Sequence, residues 1–316
     1  MFKKLRKLMK MPKKLRENGV LGMNARNYSI IAKYNSRRLY PLVDDKIQTK
    51  NLAMKAGVNT PKMLGVIEHQ YQVKEALNSV VGHQEFVIKP AHGSGGKGVM
   101  LIKSYTDNKF TLASGKIVDY NDVYQHISNI LSGLYSLGGQ YDSALLEEMV
   151  HFSDVFKDYS YCGVPDVRII VYKGYPVMAM TRLATAESGG RANLHQGAVG
   201  VGLDVKTGRS KFAVQHNIPI EIHPDTEADL RNIKIPQWKE HLLNAAKAYE
   251  MTGLGYFGAD IVLDARSGPM MLELNARPGL AIQIANGEGL SKAIKAVDKD
   301  YPQGLDPQQR IEFILQ

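Results

Sequence analysis

The alternation of apolar and polar residues divides the chain into short strands and helices. "KMLGVI", "EFVIKP", "GVMLIK" and "SALLEEMV" are brief β-like runs. "DVRIIVYKGYPVMAMTRLAT" reads as two strands joined at Lys173-Gly174, and "KFTLASGKIVDY" as a hairpin turning at Ser114-Gly115. Helical spacing marks a segment from Asp44 to Gly57 with Pro61 beyond it, and further segments over residues 71–81, 121–134 and "HLLNAAKAYEM". Residues 20–60 as a whole read as helical pieces broken by turns, and "GLDPQQRIEFILQ" as a closing helix. "GADIVLD" and "MMLELNARPGL" pair as a last hairpin across Arg266–Pro269. Residues 186–200, with "GGRANLHQGA", read as a mobile loop. Strands and helices interspersed with several hairpins predict an α+β architecture with antiparallel sheets.

Composition adds limits. In 316 residues, 44% hydrophobic and 22% charged content suits a globular chain of two or three domains. No apolar run reaches the roughly 18–20 residues of a membrane span, and the start has no secretory h-region. Cys162 is the single cysteine, which excludes an internal disulfide or a cysteine metal site. These features favour the cytoplasm. Net charge is +9, yet residues 1–16 hold eight Lys/Arg and no acid, so the remaining chain carries +1. Phe2, Leu5 and Met9 at helical spacing fit either a basic amphipathic helix in peripheral contact with an anionic membrane or membrane protein, or a solvated terminus. No nucleic-acid motif is present. "NIPIEIHP" and the residues after Lys292 could pack on another subunit, with no feature that fixes an oligomer.

Candidate chemistry centres on "FVIKPAHGSGGKGV". Gly93 to Gly98 has the gap of a Walker A loop, but Val99 and Met100 replace its lysine and hydroxyl. "GSGGKG" fits the letters of a dinucleotide fingerprint, but a strand follows where a helix is required. The remaining reading is a flexible hairpin loop whose backbone N–H groups, at Gly95 and Gly96 among others, close over a triphosphate, with Lys89 meeting phosphate as a point charge. Lys97 is as well explained as a solvated loop lysine. A second constellation lies near the end. Period-2 alternation puts Glu273 and Asn275 on one strand face, and Asp260 sits on the preceding strand. Two carboxylates and an amide oxygen are hard donors that suit magnesium, with manganese as an alternative.

Together, in this order, the motifs resemble the ATP-grasp superfamily and within it the RimK-type, alpha-L-glutamate ligase-like proteins, over roughly Asp45 to Ile282. The resemblance implies an ATP-grasp fold: two α/β subdomains with antiparallel sheets gripping ATP between them. It divides the chain into a basic helical region (1–44), a first lobe with the glycine loop (45–150) and a second lobe with the metal hairpin (151–316). Residues 1–44 stand where the family usually carries a full α/β domain.

The same resemblance implies ATP contacts from Lys46 and Lys89, a hinge at Glu148, Met149 and Val150 with Glu147 close by, and nucleotide contacts from Asp166, Arg191 and Asn193. It implies magnesium on Asp260, Glu273 and Asn275, with Arg182 and Arg277 holding the acylphosphate and the tetrahedral oxyanion. Arg277 stands where the family often has a small polar residue. His195 is a tempting general base, better explained as a loop histidine bonded to backbone. The implied activity is ADP-forming ligation of a carboxylate to an amine, adding glutamate or a similar amino acid to an amino acid, peptide, protein tail or sugar-linked amine. An ATP-grasp enzyme of another reaction type and a non-catalytic ATP-binding partner protein are the alternatives.

Overall fold

The computed structural model describes residues 13–80, 82, 84–93 and 95–316. Most of the basic stretch, residues 1–12, lies outside them. The chain forms two compact units. One comprises Asp44–Met54 and Thr60–His151; the other takes in the chain up to Val43, Lys55–Asn59 and Phe152–Gln316.

The first unit is a six-stranded antiparallel sheet. Its strands are β1 (Met63–Ile67), β2 (Phe86–Pro90), β3 (Met100–Thr106), β4 (Lys109–Leu112), β5 (Ile117–Asp119) and β6 (Ala144–Glu148), in the order β1-β6-β2-β3-β4-β5. Helix α1 (Lys46–Lys55) starts after Asp45, whose carboxylate accepts from the N–H groups of Ile47 and Gln48. Helices α2 (Val73–Val80) and α3 (Tyr120–Leu131) follow. A reciprocal pair between Asp119 and Asp122 caps α3. Phe86, Ile88, Ala144 and Leu146 point to one sheet face, where Val73, Leu77, Val123, Ile127 and Ile130 of α2 and α3 close a dry core. Strand alternation therefore sends Lys89 and Glu147 to the opposite face.

The second unit holds a seven-stranded antiparallel sheet in the order β11-β10-β9-β8-β7-β12-β13. The strands are β7 (Asp166–Tyr172), β8 (Tyr175–Leu183), β9 (Val199–Leu203), β10 (Ser210–Gln215), β11 (Ile218–Pro219), β12 (Tyr256–Asp264) and β13 (Gly268–Asn275). β7 and β8 meet at Lys173-Gly174, both with positive φ (49° and 80°), the conformation a two-residue hairpin turn demands. Helix α4 (Trp238–Thr252) packs on β7, β8, β12 and β13; α5 (Leu290–Asp300) packs on β8, and α6 (Pro307–Leu315) on α4 and β8. α4 ends at Gly253, left-handed at φ 68°.

Residues 20–43 form short helical turns, with a π-helical stretch at Arg26–Ile31. They pack within this second unit. The Asn35 amide donates to the carbonyls of Tyr256 and Ala276 and accepts from the Tyr256 N–H, and Arg26 donates to the Pro278 carbonyl. Among the described residues no helix is long and apolar enough to cross a membrane.

The α+β architecture, the antiparallel sheets and the hairpins at Ser114-Gly115 and Lys173-Gly174 agree with the pattern reading. Three details differ. The helix expected from Asp44 to Gly57 is confined to Lys46–Lys55, after a separate turn at Pro41–Asp44. The loop expected over 186–200 already contains the start of β9 at Val199, buried and paired with Leu183. The last hairpin carries a bulge: Asp260 faces Glu273, but Ile261 faces Met271.

Candidate functional site

In the first unit the opposite sheet face carries a buried charge cluster. β2 and β6 are neighbours, with Val87 opposite Glu147 and Lys89 opposite Leu145. Lys89 Nζ lies 2.5 Å from Glu147 Oε1 and Lys50 Nζ 2.7 Å from Oε2. Lys50 comes from α1 and also donates to the Pro61 carbonyl. Burial pushes the Glu147 carboxyl up, but the two ammonium groups outweigh it and hold it below its usual range. Burial likewise lowers the Lys50 pKa, against the pull of Glu147. Glu148, Met149 and Val150 are half-buried, and the Glu148 N–H is taken by the Lys62 carbonyl.

The glycine loop springs from the same face. Lys46 Nζ donates to the Gly93 carbonyl at 2.5 Å, which places it at the root of the loop. One stem is held by Asp142, which accepts from the His92 N–H, sits 2.7 Å from His92 Nδ1 and accepts from the Ser136 hydroxyl. At the other stem His126 Nε2 lies 3.0 Å from the Gly98 carbonyl, and a Cβ on Gly98 would come within 2.6 Å of the Tyr135 ring. Gly95 and Gly96 have φ of 64° and 72° in open space, so backbone conformation is what requires glycine there. Lys97 is exposed.

In the second unit, ladder register builds a row of charge. Glu273 on β13 faces Asp260 on β12, Asp260 faces Arg168 on β7, and Asp166 faces Arg182 on β8. Arg168 grips Asp260 with two N–H groups at 2.6 and 2.5 Å. Arg182 donates to both oxygens of Asp166 and, at 2.8 Å, to Asp260. Asp260 is fully buried; burial works against its charge, but Arg168 and Arg182 hold its carboxyl far below the ordinary range. The same carboxylates push the Arg182 guanidinium above its usual value despite burial. Asn275 Nδ2 lies 3.5 Å from Glu273 Oε1, so the two side chains share a face.

The hard oxygen donors of Glu273, Asn275 and Asp260 fit magnesium, with Asp260 offering only the lone pairs its arginines leave. Among the described residues no three His, Cys, Asp or Glu side chains converge on one point.

The remaining expected residues lie elsewhere in this unit. Arg191 is exposed, and Asn193 caps the turn Leu194–Gln196 by accepting from the His195 N–H. Arg277 is exposed and stacks over the Tyr40 ring at 5.1 Å. Lys50, Arg168 and Tyr40 join these clusters although no motif singles them out. Arg168 had a signal, since it shares a strand face with Asp166 two residues earlier; Lys50 and Tyr40 had none.

The two antiparallel sheets with their helices are those of an ATP-grasp protein. The chain belongs to the sugar-transfer associated ATP-grasp family, whose model matches residues 25–299. Among curated relatives it is similar to a probable alpha-L-glutamate ligase of Maridesulfovibrio salexigens, 24% identical over 75% of this chain and 56% of that protein. A protein of the same description from Halorhodospira halophila is 26% identical over 79% of this chain and 61% of its own length. The chain thus spans less than two thirds of the length of these relatives. Among solved structures, the D-cycloserine synthetase DcsG aligns with 14% identity and a TM-score of 0.48, over 84% of this chain and 72% of that one.

Proposed function

We propose that the protein is an ATP-dependent carboxylate–amine ligase. The observation that carries the reading is the buried row on β13, β12, β7 and β8, where carboxylate oxygens suited to a divalent cation stand beside fixed guanidinium donors. Phosphoryl transfer needs positioning and charge neutralisation more than a protein nucleophile. Lys89 and Lys46 would meet the phosphates, with the N–H groups of Gly95 and Gly96 above them and the backbone of Glu148, Met149 and Val150 reading adenine. Arg191 and Asn193 would reach the phosphates from the turn before β9. Magnesium on Glu273, Asn275 and Asp260 would supply charge neutralisation for the phosphate oxygens.

In the first step an oxygen of the substrate carboxylate bonds to the γ-phosphorus and the bond to ADP breaks. In the second, an amine attacks the acyl carbon, phosphate leaves and the amine proton is lost to it or to solvent. Arg182, steered by Asp166, would hold the charge developing on the acylphosphate, and Arg277 the tetrahedral oxyanion. The names of the curated relatives support glutamate as the acid, and the family's association with sugar transfer supports an acceptor amine carried on a saccharide.

The test is ADP release from Mg-ATP in the presence of amino acids and amino sugars, singly and in pairs, with mass analysis of the products. A pair-dependent release of ADP, with a product lighter by one water than its summed reactants, supports the ligase, and Glu273→Ala should abolish it. Release without a coupled product would overturn it.

A further inference from the structure

The Lys50–Glu147–Lys89 cluster contains one more positive charge than its own pairing needs. Lys50, Glu147 and Lys89 are 3%, 4% and 8% exposed. Two ammonium groups share one carboxylate, each on its own oxygen. Burying charge is costly unless each group is paired, and a Lys89–Glu147 pair alone would already be neutral and closed. A phosphate approaching such a pair would have to pull the ammonium away and strand a buried carboxylate. Lys50 changes that balance. It is anchored independently by the Pro61 carbonyl at 2.5 Å, and it comes from a helix, whereas Lys89 rides on the strand that leads into the glycine loop.

We propose that Lys50 is a positioning residue for nucleotide binding, a resident countercharge that keeps Glu147 paired and so releases Lys89 to the triphosphate. This rests on the reading of Lys89 as a phosphate ligand. The depression of the Lys50 pKa by burial, opposed by Glu147, fits a lysine whose charge depends on that carboxylate. The net positive charge of the cluster is then completed by the anionic ligand.

The experiment is calorimetric titration of the full chain with Mg-ATP and, separately, with adenosine, which lacks the phosphates. Lys50→Met should weaken Mg-ATP binding by roughly tenfold or more, about 1.4 kcal/mol, and leave adenosine binding unchanged. Adding Glu147→Gln to Lys50→Met should restore most of the loss, because Lys89 is then no longer held by a carboxylate. Equal loss for both ligands, no loss for Mg-ATP, or no rescue by the second substitution would overturn the proposal. Should Lys50→Met not fold, Glu147→Gln alone decides: Mg-ATP binding at least as tight as wild type is expected, and weaker binding overturns it. Lys89→Met separates the two levels. If Lys89→Met weakens Mg-ATP tenfold while Lys50→Met does not, only the role of Lys50 falls; if wild type binds no Mg-ATP, the reading beneath it falls too.

Discussion

Asp260 accepts from two guanidinium groups at once, while Glu273 faces it across the ladder. Removing one partner from a buried ionic group leaves charge uncompensated, at a cost of about 3–5 kcal/mol. Arg168→Met is therefore expected to destabilise by roughly the lower end of that range, because Arg182 still reaches Asp260. Urea unfolding of the variant checks it. His241 is a second residue whose surroundings fix a behaviour. It is fully buried, its Nδ1 meets the Gln237 carbonyl, and its Nε2 has no partner among the described residues. Burial pushes its pKa down to about 4 from the ordinary 6.5. The unfolded chain then binds the proton more readily, so stability is held above pH 6.5 and falls as the pH drops from 6.5 towards 4. The slope is about 1.4 kcal/mol per pH unit. The stability difference between wild type and His241→Leu, read from unfolding curves, should change with pH by about that slope between these values. The placing of Asp260 opposite Glu273, with Asn275 on the same face, was legible because polar side chains interrupt an apolar strand. The grip of Arg168 on Asp260 was not, since it depends on which strands become neighbours.

The glycine loop separates two reasons for glycine within one element. At Gly95 an added Cβ meets open space, so Gly95→Ala should cost only the left-handed conformation, about 1–2 kcal/mol. At Gly98 the same φ penalty is joined by collision with the Tyr135 ring. Gly98→Ala should lower the melting temperature clearly more than Gly95→Ala, and differential scanning calorimetry of the two variants checks the order. Most elements were legible because their apolar residues keep one period from end to end. β9 was not, since "VGVGL" carries two glycines and glycine weakens a strand reading. The structure supplies the reason: a Cβ on Gly202 would lie 2.5 Å from the Ala285 carbonyl and one on Gly200 would lie 2.8 Å from Leu194, so close approach excludes side chains there. The bulge at Asp260 was likewise hidden, because a one-residue shift exists only in the pairing of two strands.

At the scale of the molecule, two cores are built from interleaved sequence. The first unit has its own dry cluster, with Phe110 and Ile127 fully buried in it. Phe110→Ala should cost about 3–5 kcal/mol. Its effect should fall on that unit: hydrogen exchange should accelerate in β2–β5 while β7, β12 and β13 keep their protection. The two antiparallel sheets were legible as a class from the hairpins. The attachment of residues 20–43 to the β12–β13 hairpin was not, because it runs through single polar contacts such as Asn35 to Tyr256, 221 residues apart.

That separation has a consequence for how the protein is made. The unit containing the glycine loop is complete once synthesis has passed His151 and emerged, and it can fold while the rest is still being translated. Ile30, Ile31 and Val43, buried in the finished protein, belong to the other unit, and the Tyr256 that Asn35 holds has not yet been synthesised. At roughly 5–20 residues per second they wait for about 10–40 s. During that interval Ile30, Ile31 and Val43 are apolar surface without their cover, and the ribosome-bound chain is where a chaperone would find them.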